Sequence, residues 1–232
     1  VPYNNFNYPK SLYAVEDALR HILKKNKNAL IIDFFSGSGT TAHAVMRLNH
    51  QDGGNRQCIC VTNNELSEPE EKRLTKQSFR KGDPEWESIG ICEYITKPRI
   101  KAAITGLTPD GEPIKGDYKF IDEFPMSDGF EENAIFFDLT YQNPLLVEYG
   151  AAFHEIAPLL WLRAGSTGTI IEEESDNFAF ADTYGILFNY AYVEEFMDAV
   201  REHEGIRCLY VITDDATRYA NVAKEFPDID VF

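Results

Sequence analysis

The residues best suited to chemistry stand in one stretch, "LIIDFFSGSGTTAHAV", running from Leu30 to Val45. An apolar run ends in a carboxylate, Asp33, and four residues on come Gly37-Ser38-Gly39, followed by Thr40 and Thr41. Glycines at such a place let the backbone turn tightly and approach a ligand closely, and a helix starting behind them offers unpaired N–H groups. A phosphate-cradling Walker loop would need a lysine after its last glycine, and "SGSGTT" has none. A dinucleotide loop needs Gly-x-Gly-x-x-Gly/Ala, which Gly37 to Ala42 satisfies. A nicotinamide-dependent oxidoreductase would also place an acid about 20 residues past the glycines. Glu65 lies 26 residues past Gly39. The third reading is S-adenosylmethionine, whose ammonium favours an acid at the strand end, here Asp33. A glycine-rich turn that holds nothing is the fourth.

Other clusters say less. Asp214 and Asp215 follow the apolar run "IRCLYVIT", where a carboxylate pair could hold magnesium or one of them could cap a helix. Cys58 and Cys60 alternate within "QCICVT" and would share one face of a strand, as reduced core thiols. "EEESD" at 172–176 reads as an exposed turn.

The elements that must position the glycine stretch are readable around it. Leu12, Val15, Leu19, Ile22 and Leu23 recur at helical spacing after Ser11, a helix cap, and run into a lysine-rich end. "ALIIDFF" has the character of a buried parallel strand, "TTAHAVMRLNH" of a helix and "QCICVT" of a second buried strand, with "QDGGNR" as a turn. This makes a βαβ unit. Residues 66–83 are charged and read as helical or mobile. "ITKPRIKAAITG" predicts a helix with Thr96 as its N-cap, Pro98 in the first turn and Gly106 as its stop. A hairpin is expected over "LTPDGEPIKGDYKFIDEF". Beyond it the pattern predicts a helix over Pro144–Arg163, strands near Gly168–Ile171 and over Phe178–Phe188, and a helix over Val193–His203. The strand "IRCLYVIT", a helix from Asp215 to Phe226 and a last strand "DIDVF" complete it.

The net charge of −16 is unevenly spread. Residues 1–64 carry seven Lys/Arg against four Asp/Glu, residues 65–101 eight of each, and residues 102–232 seven against 26. The change marks a boundary near residue 105 and makes the later part a poor partner for phosphate backbones. No run of 18 apolar residues occurs and no basic-then-apolar leader opens the chain, so a membrane span or signal peptide is not expected and the location expected is cytoplasmic.

The joint pattern "FNYPKS…IIDFFSGSGTTAHAVMRLN…DGGNR" resembles the cofactor-binding half of beta-group DNA adenine methyltransferases. Within that group it is similar to modification subunits of type III restriction systems and related phage-defence methylases. The later "ESIGICEYITKPRIKAAI" resembles the family's arginine-bearing helix. The resemblance covers about residues 6–106. It implies a Rossmann-like S-adenosylmethionine-binding fold, incomplete here, over 1–106, followed by an acidic α/β domain of unassigned role over 107–232. It also implies roles. Asp33 would face the methionine ammonium, while Phe35, Ser36, Gly37, Ser38 and Gly39 wrap the methionine and ribose. Thr40 and Thr41 would begin the helix that points its N–H groups at the ligand, Lys10 would reach the carboxylate, and Glu65 or Asn64 would take the ribose hydroxyls.

The family's catalytic motif, Asp/Asn-Pro-Pro-Tyr/Phe, holds the target amine and stacks on the flipped base. No Pro-Pro occurs here; "DPEW" and "NPLL" lack the second proline. In the beta group that motif and the DNA-reading region precede the cofactor motif. The expectation is therefore a C-terminal portion of a longer, DNA-binding enzyme, inactive by itself, with no catalytic or metal-binding residue of its own. Its acidic part would dock a restriction or sister subunit. A non-catalytic assembly module is the alternative.

Overall fold

Leu12, Val15 and Leu19 do lie on a helix, α1 (Leu12–Leu23), in a computed structural model that describes residues 10–141, 143–148 and 152–232. The helix stops before the lysine-rich stretch, where Lys24 takes a left-handed turn (φ 51°). Two compact units divide the mixed α/β chain, Val1–Phe136 and Phe137–Phe232.

In the first unit β1 (Leu30–Asp33) pairs in parallel with β2 (Gln57–Cys60), Ile32 opposite Ile59 and Asp33 opposite Cys60. The crossover is α2 (Thr40–Asp52), whose residues 44–49 are all buried. The turn back to β2 is locked by side chains: Arg56 forks onto both carboxylate oxygens of Asp52 (2.9 and 2.8 Å), and Asn49 bonds the backbone of Arg56 in both directions at 3.0 Å. A Cβ on Gly54 would lie 2.4 Å from Arg56 Nη1, so a larger residue there would push against the Arg56–Asp52 fork.

The strands depart from the buried pair expected. Cys58 and Cys60 face α2, while Ile32 (50% exposed), Ile59 (44%), Leu30 and Val61 look outward. Helices cover one face of this two-stranded sheet, so the alternation of a half-buried strand applies.

The charged connector holds α3 (Glu68–Lys76) and α4 (Pro84–Glu87). Thr96 does not cap the next helix. A π-helical turn, Cys92–Thr96, runs straight into α5 (Lys97–Thr105), which ends as expected at Gly106. The start is capped from a distance instead: the Asn64 side-chain oxygen accepts from the N–H groups of Cys92 and Glu93, both at 3.1 Å.

The compact unit reaches about 30 residues past the change in charge near 105, to Phe136. Residues 107–136 carry Tyr118, Phe124 and Phe130, which pack with Ala42, Met46, Ile100 and Ala103 of α2 and α5. Hydrophobic burial, not charge, sets this division. The expected hairpin is present only as two isolated antiparallel bridges, Leu107 with Pro113 and Asp117 with Pro125.

The second unit is a four-stranded sheet in the order β3 (Phe178–Phe180), β4 (Tyr184–Leu187), β5 (Cys208–Val211), β6 (Asp230–Val231), parallel except for β3. The single strand expected over Phe178–Phe188 is thus a hairpin, and Gly168–Ile171 forms no strand. The side chain of Asp182, in the hairpin turn, instead accepts from the N–H and hydroxyl of Thr169 at 2.9 and 3.1 Å. Tyr184, Ile186, Cys208 and Tyr210 face α7 (Phe153–Arg163). Leu187, Leu209 and Val211 face α8 (Val193–Glu202) and α9 (Ala216–Glu225), the two crossovers. Helix α6 (Pro144–Glu148) precedes α7, so the described part of the one long helix expected over Pro144–Arg163 falls into two pieces.

Candidate functional site

The small-residue loop is built from four sides. The chain leaves β1 at Asp33, and the N–H of Ser36 donates to Val61 O (3.1 Å), which ties the loop to the end of β2. Asp33 closes it: one carboxylate oxygen accepts from Phe35 N–H at 3.1 Å, the other from the Thr41 hydroxyl at 2.5 Å. Gly39 is the N-cap of α2 and is left-handed (φ 73°). No side chain caps α2, so its first N–H groups keep their capacity for a ligand. Phe35 projects outward, 90% exposed, whereas Ser36, Ser38, Gly39 and Thr40 are buried.

Helix α5 supports this loop from within. The Thr96 hydroxyl bonds Gly37 O, and Arg99 Nη1 lies 3.0 Å from Ser38 Oγ and 2.8 Å from Thr40 Oγ1. Burial pulls the Arg99 guanidinium below its usual pKa. The same burial, helped by Arg99 and Arg47, lowers His43 to about 3, so the ring is neutral where its Nε2 meets Tyr118 Oη at 2.8 Å.

At the end of β2 the two ribose candidates separate. Asn64 spends its whole amide on structure: besides the N–H groups of residues 92 and 93, it bonds Glu87 O at 2.7 Å and the Glu87 carboxylate at 2.8 Å. A Cβ on Gly90 would lie 2.1 Å from the Asn64 oxygen. Glu65 is exposed, its carboxylate accepts from Asn63 Nδ2 (2.9 Å), and it borders a cleft of about 200 Å³ whose walls include Leu66, Ser67, Glu70, Ile91 and Tyr94. The structure therefore brings Asp33, residues 35–41 and the start of the Glu65 loop to the same end of the β1–β2 pair. Lys10 stands exposed before α1, and no hydrogen bond joins it to the loop among the described residues. The aromatic-Pro segment in front of it, residues 6–9, lies outside them.

Residues 3–97 match the family model described as DNA methylase. The chain is similar to the Mod subunit of the type III restriction-modification enzyme EcoPI of Escherichia phage P1, 41% identical over 96 residues. That is 41% of this chain and 13% of the relative. Two further relatives are each 46% identical over 59 residues, a quarter of this chain: the StyLTI Mod subunit of Salmonella typhimurium and the type II methyltransferase M.KpnI of Klebsiella pneumoniae. The matched stretch spans 9% of the first and 14% of the second.

The supporting roles of three anchors emerge only in the structure: those of Arg99, the arginine of the expected arginine-bearing helix, of Thr96 and of Arg47. Arg99 and Thr96 hold the loop from 60 residues away. Arg47 of α2 is fully buried against Glu16 of α1 (2.5 Å) and reaches the carbonyls of Lys119 and Ile121. A signal for this last pair was present: a glutamate among the inward positions of α1 and an arginine inside "AVMRL". In the second unit Asp215 caps α9 through Thr217 N–H (2.7 Å), while Asp214 lines a separate cleft of about 420 Å³ with Tyr190 and Arg218.

Proposed function

We propose that the first unit is the S-adenosylmethionine-binding part of a DNA adenine methyltransferase, with a Rossmann-like arrangement of β1, α2 and β2. One observation carries the reading: an acid-ended strand, a glycine loop and an uncapped helix start converge inside the segment that matches DNA methylases. The site's chemistry fits the cofactor. Asp33 keeps lone pairs for an ammonium beside its two loop bonds, since a carboxylate accepts up to about four hydrogen bonds. Phe35 and the backbone of 36–39 lie against the methionine and ribose, and the N–H groups at Thr40 and Thr41 orient the ligand. Glu65 would take the ribose hydroxyls, and the cleft beside it, walled by Leu66, Ile91 and Tyr94 with Ser67 and Glu70, would take the base. Asn64, already saturated, does not. When bound, the cofactor supplies a methyl group on a sulfonium for transfer to the exocyclic amine of adenine. The residues that would grip that amine, a Pro-Pro-Tyr/Phe motif, are not in this sequence. Incubated with tritiated cofactor and mixed-sequence DNA, this chain alone should leave the DNA unlabelled. Robust labelling would falsify the division of labour proposed.

The acidic second unit is proposed to meet protein rather than DNA, in a sister or restriction subunit, because its carboxylates repel phosphate. The full chain should give no gel shift at low salt. A shift that fades as salt rises would mark phosphate contacts and contradict this reading.

A further inference from the structure

We propose that Arg99 is a positioning residue for the glycine loop: its guanidinium sets the hydroxyls of Ser38 and Thr40, and with them the start of α2. The inference rests on the cofactor reading above and assigns the loop's shape to α5. One nitrogen, Nη1, serves both hydroxyls at 3.0 and 2.8 Å, with Ser38 O at 3.5 Å, and the hydroxyls are themselves 3.0 Å apart. Either side of this contact is pinned by α5 or by the π turn that runs into it. Thr96 holds Gly37 O. A Cβ on Gly39 would come within 3.2 Å of Thr96 Cγ2 and 3.3 Å of Ile100 Cδ1. Loop residues 37 to 40 thus rest on one face, formed by the end of the π turn and the first turn of α5.

The choice of arginine is informative because it is electrostatically costly. Arg99 is partly desolvated, no carboxylate bonds it among the described residues, and it adjoins the positive end of α2. A methionine would fill the same space without that cost, so what the position uses is the donor. Loop geometry set in this way is present before any ligand arrives, and the ligand then loses less freedom in ordering it.

Arg99→Met and Arg99→Lys in the full chain separate donor from bulk. Amide hydrogen exchange of Gly37–Thr41 should rise about tenfold or more in Arg99→Met and stay near wild type in Arg99→Lys, which can still donate to both hydroxyls. The concentration of S-adenosylmethionine that half-saturates the loop's NMR shifts should rise about tenfold in the methionine variant alone. Wild-type exchange in Arg99→Met, or increases spread equally over α1, α2 and β1 in both variants, would overturn the inference. Absence of any cofactor shift in wild type, with the loop still freed in Arg99→Met, would instead remove the cofactor reading and leave the positioning role standing.

Discussion

The Thr41 hydroxyl donates to the carboxylate of Asp33 across 2.5 Å and closes the glycine loop back onto the strand that begins it. Asp33 is therefore both part of the loop's frame and the charge offered to a ligand. The two duties can be parted. Asp33→Asn keeps an oxygen for Phe35 N–H and an NH2 that can donate to the Thr41 hydroxyl oxygen, and loses the charge, whereas Asp33→Ala loses both loop bonds and charge. A hydrogen bond to a charged group contributes about 1.5–3 kcal/mol, so Asp33→Ala should weaken S-adenosylmethionine binding about ten- to a hundredfold. Asp33→Asn should show most of that loss with loop amide exchange unchanged. Calorimetry finding unaltered affinity in both variants would reduce Asp33 to a strand end.

Glu16 and Arg47 form a pair with side chains 3% and 0% exposed. Removing one partner strands a buried charge, so Glu16→Ala should lower the unfolding free energy by about 3–5 kcal/mol. Glu16→Leu combined with Arg47→Met should recover most of it, since apolar replacement of both partners is commonly neutral. Urea denaturation of the two variants against wild type checks this; a double variant as unstable as the single one contradicts it.

His43 gives the first unit an acid sensitivity. Its pKa is about 3 in the folded chain against the usual 6.5. Between those values the unfolded chain holds a proton here that the folded chain refuses. Stability at this site is thus complete above pH 6.5 and falls as pH drops towards 3, by up to about 1.4 kcal/mol per pH unit. His43→Gln should flatten the fall of the urea midpoint between pH 6 and 4. An unchanged slope would mean the ring takes up its proton without strain.

How much of this was legible depended on distance along the chain. The strand, loop, helix and "GGNR" turn are local, and Asn49 and Arg56 complete them within seven residues, so their pattern shows in the sequence. The cap on residues 92 and 93 comes from Asn64, and the loop's support comes from Thr96 and Arg99. Neither leaves a periodic trace. Thr96, a good cap by type, was assigned to a helix end that the Asn64 contact had moved four residues upstream. The run Phe178–Phe188 looked like one strand because only the Asp182 contacts to Thr169 mark its turn. Exposure of Ile32 and Ile59 was hidden for the opposite reason: an apolar strand looks the same whether or not its second face is covered.

That open face has a measurable consequence. Ile32 and Ile59 are cross-strand neighbours with Leu30, Phe34 and Val61 also exposed, an apolar patch of the kind that attracts partners or dye. Ile32→Thr with Ile59→Thr should reduce binding of the dye ANS and any self-association, while stability changes by no more than about 1 kcal/mol for the pair. A large loss of stability would show the face to be covered within the chain.

The cofactor site itself is tested most directly by titrating the isotopically labelled chain with S-adenosylmethionine into the millimolar range, where weak binding is still seen by NMR. Expected are shifts at the amides of Asp33–Thr41 and Glu65 that saturate, and that Asp33→Ala moves to about ten- to a hundredfold higher cofactor concentration. No shift at any concentration, or shifts confined to the second unit, would contradict the site.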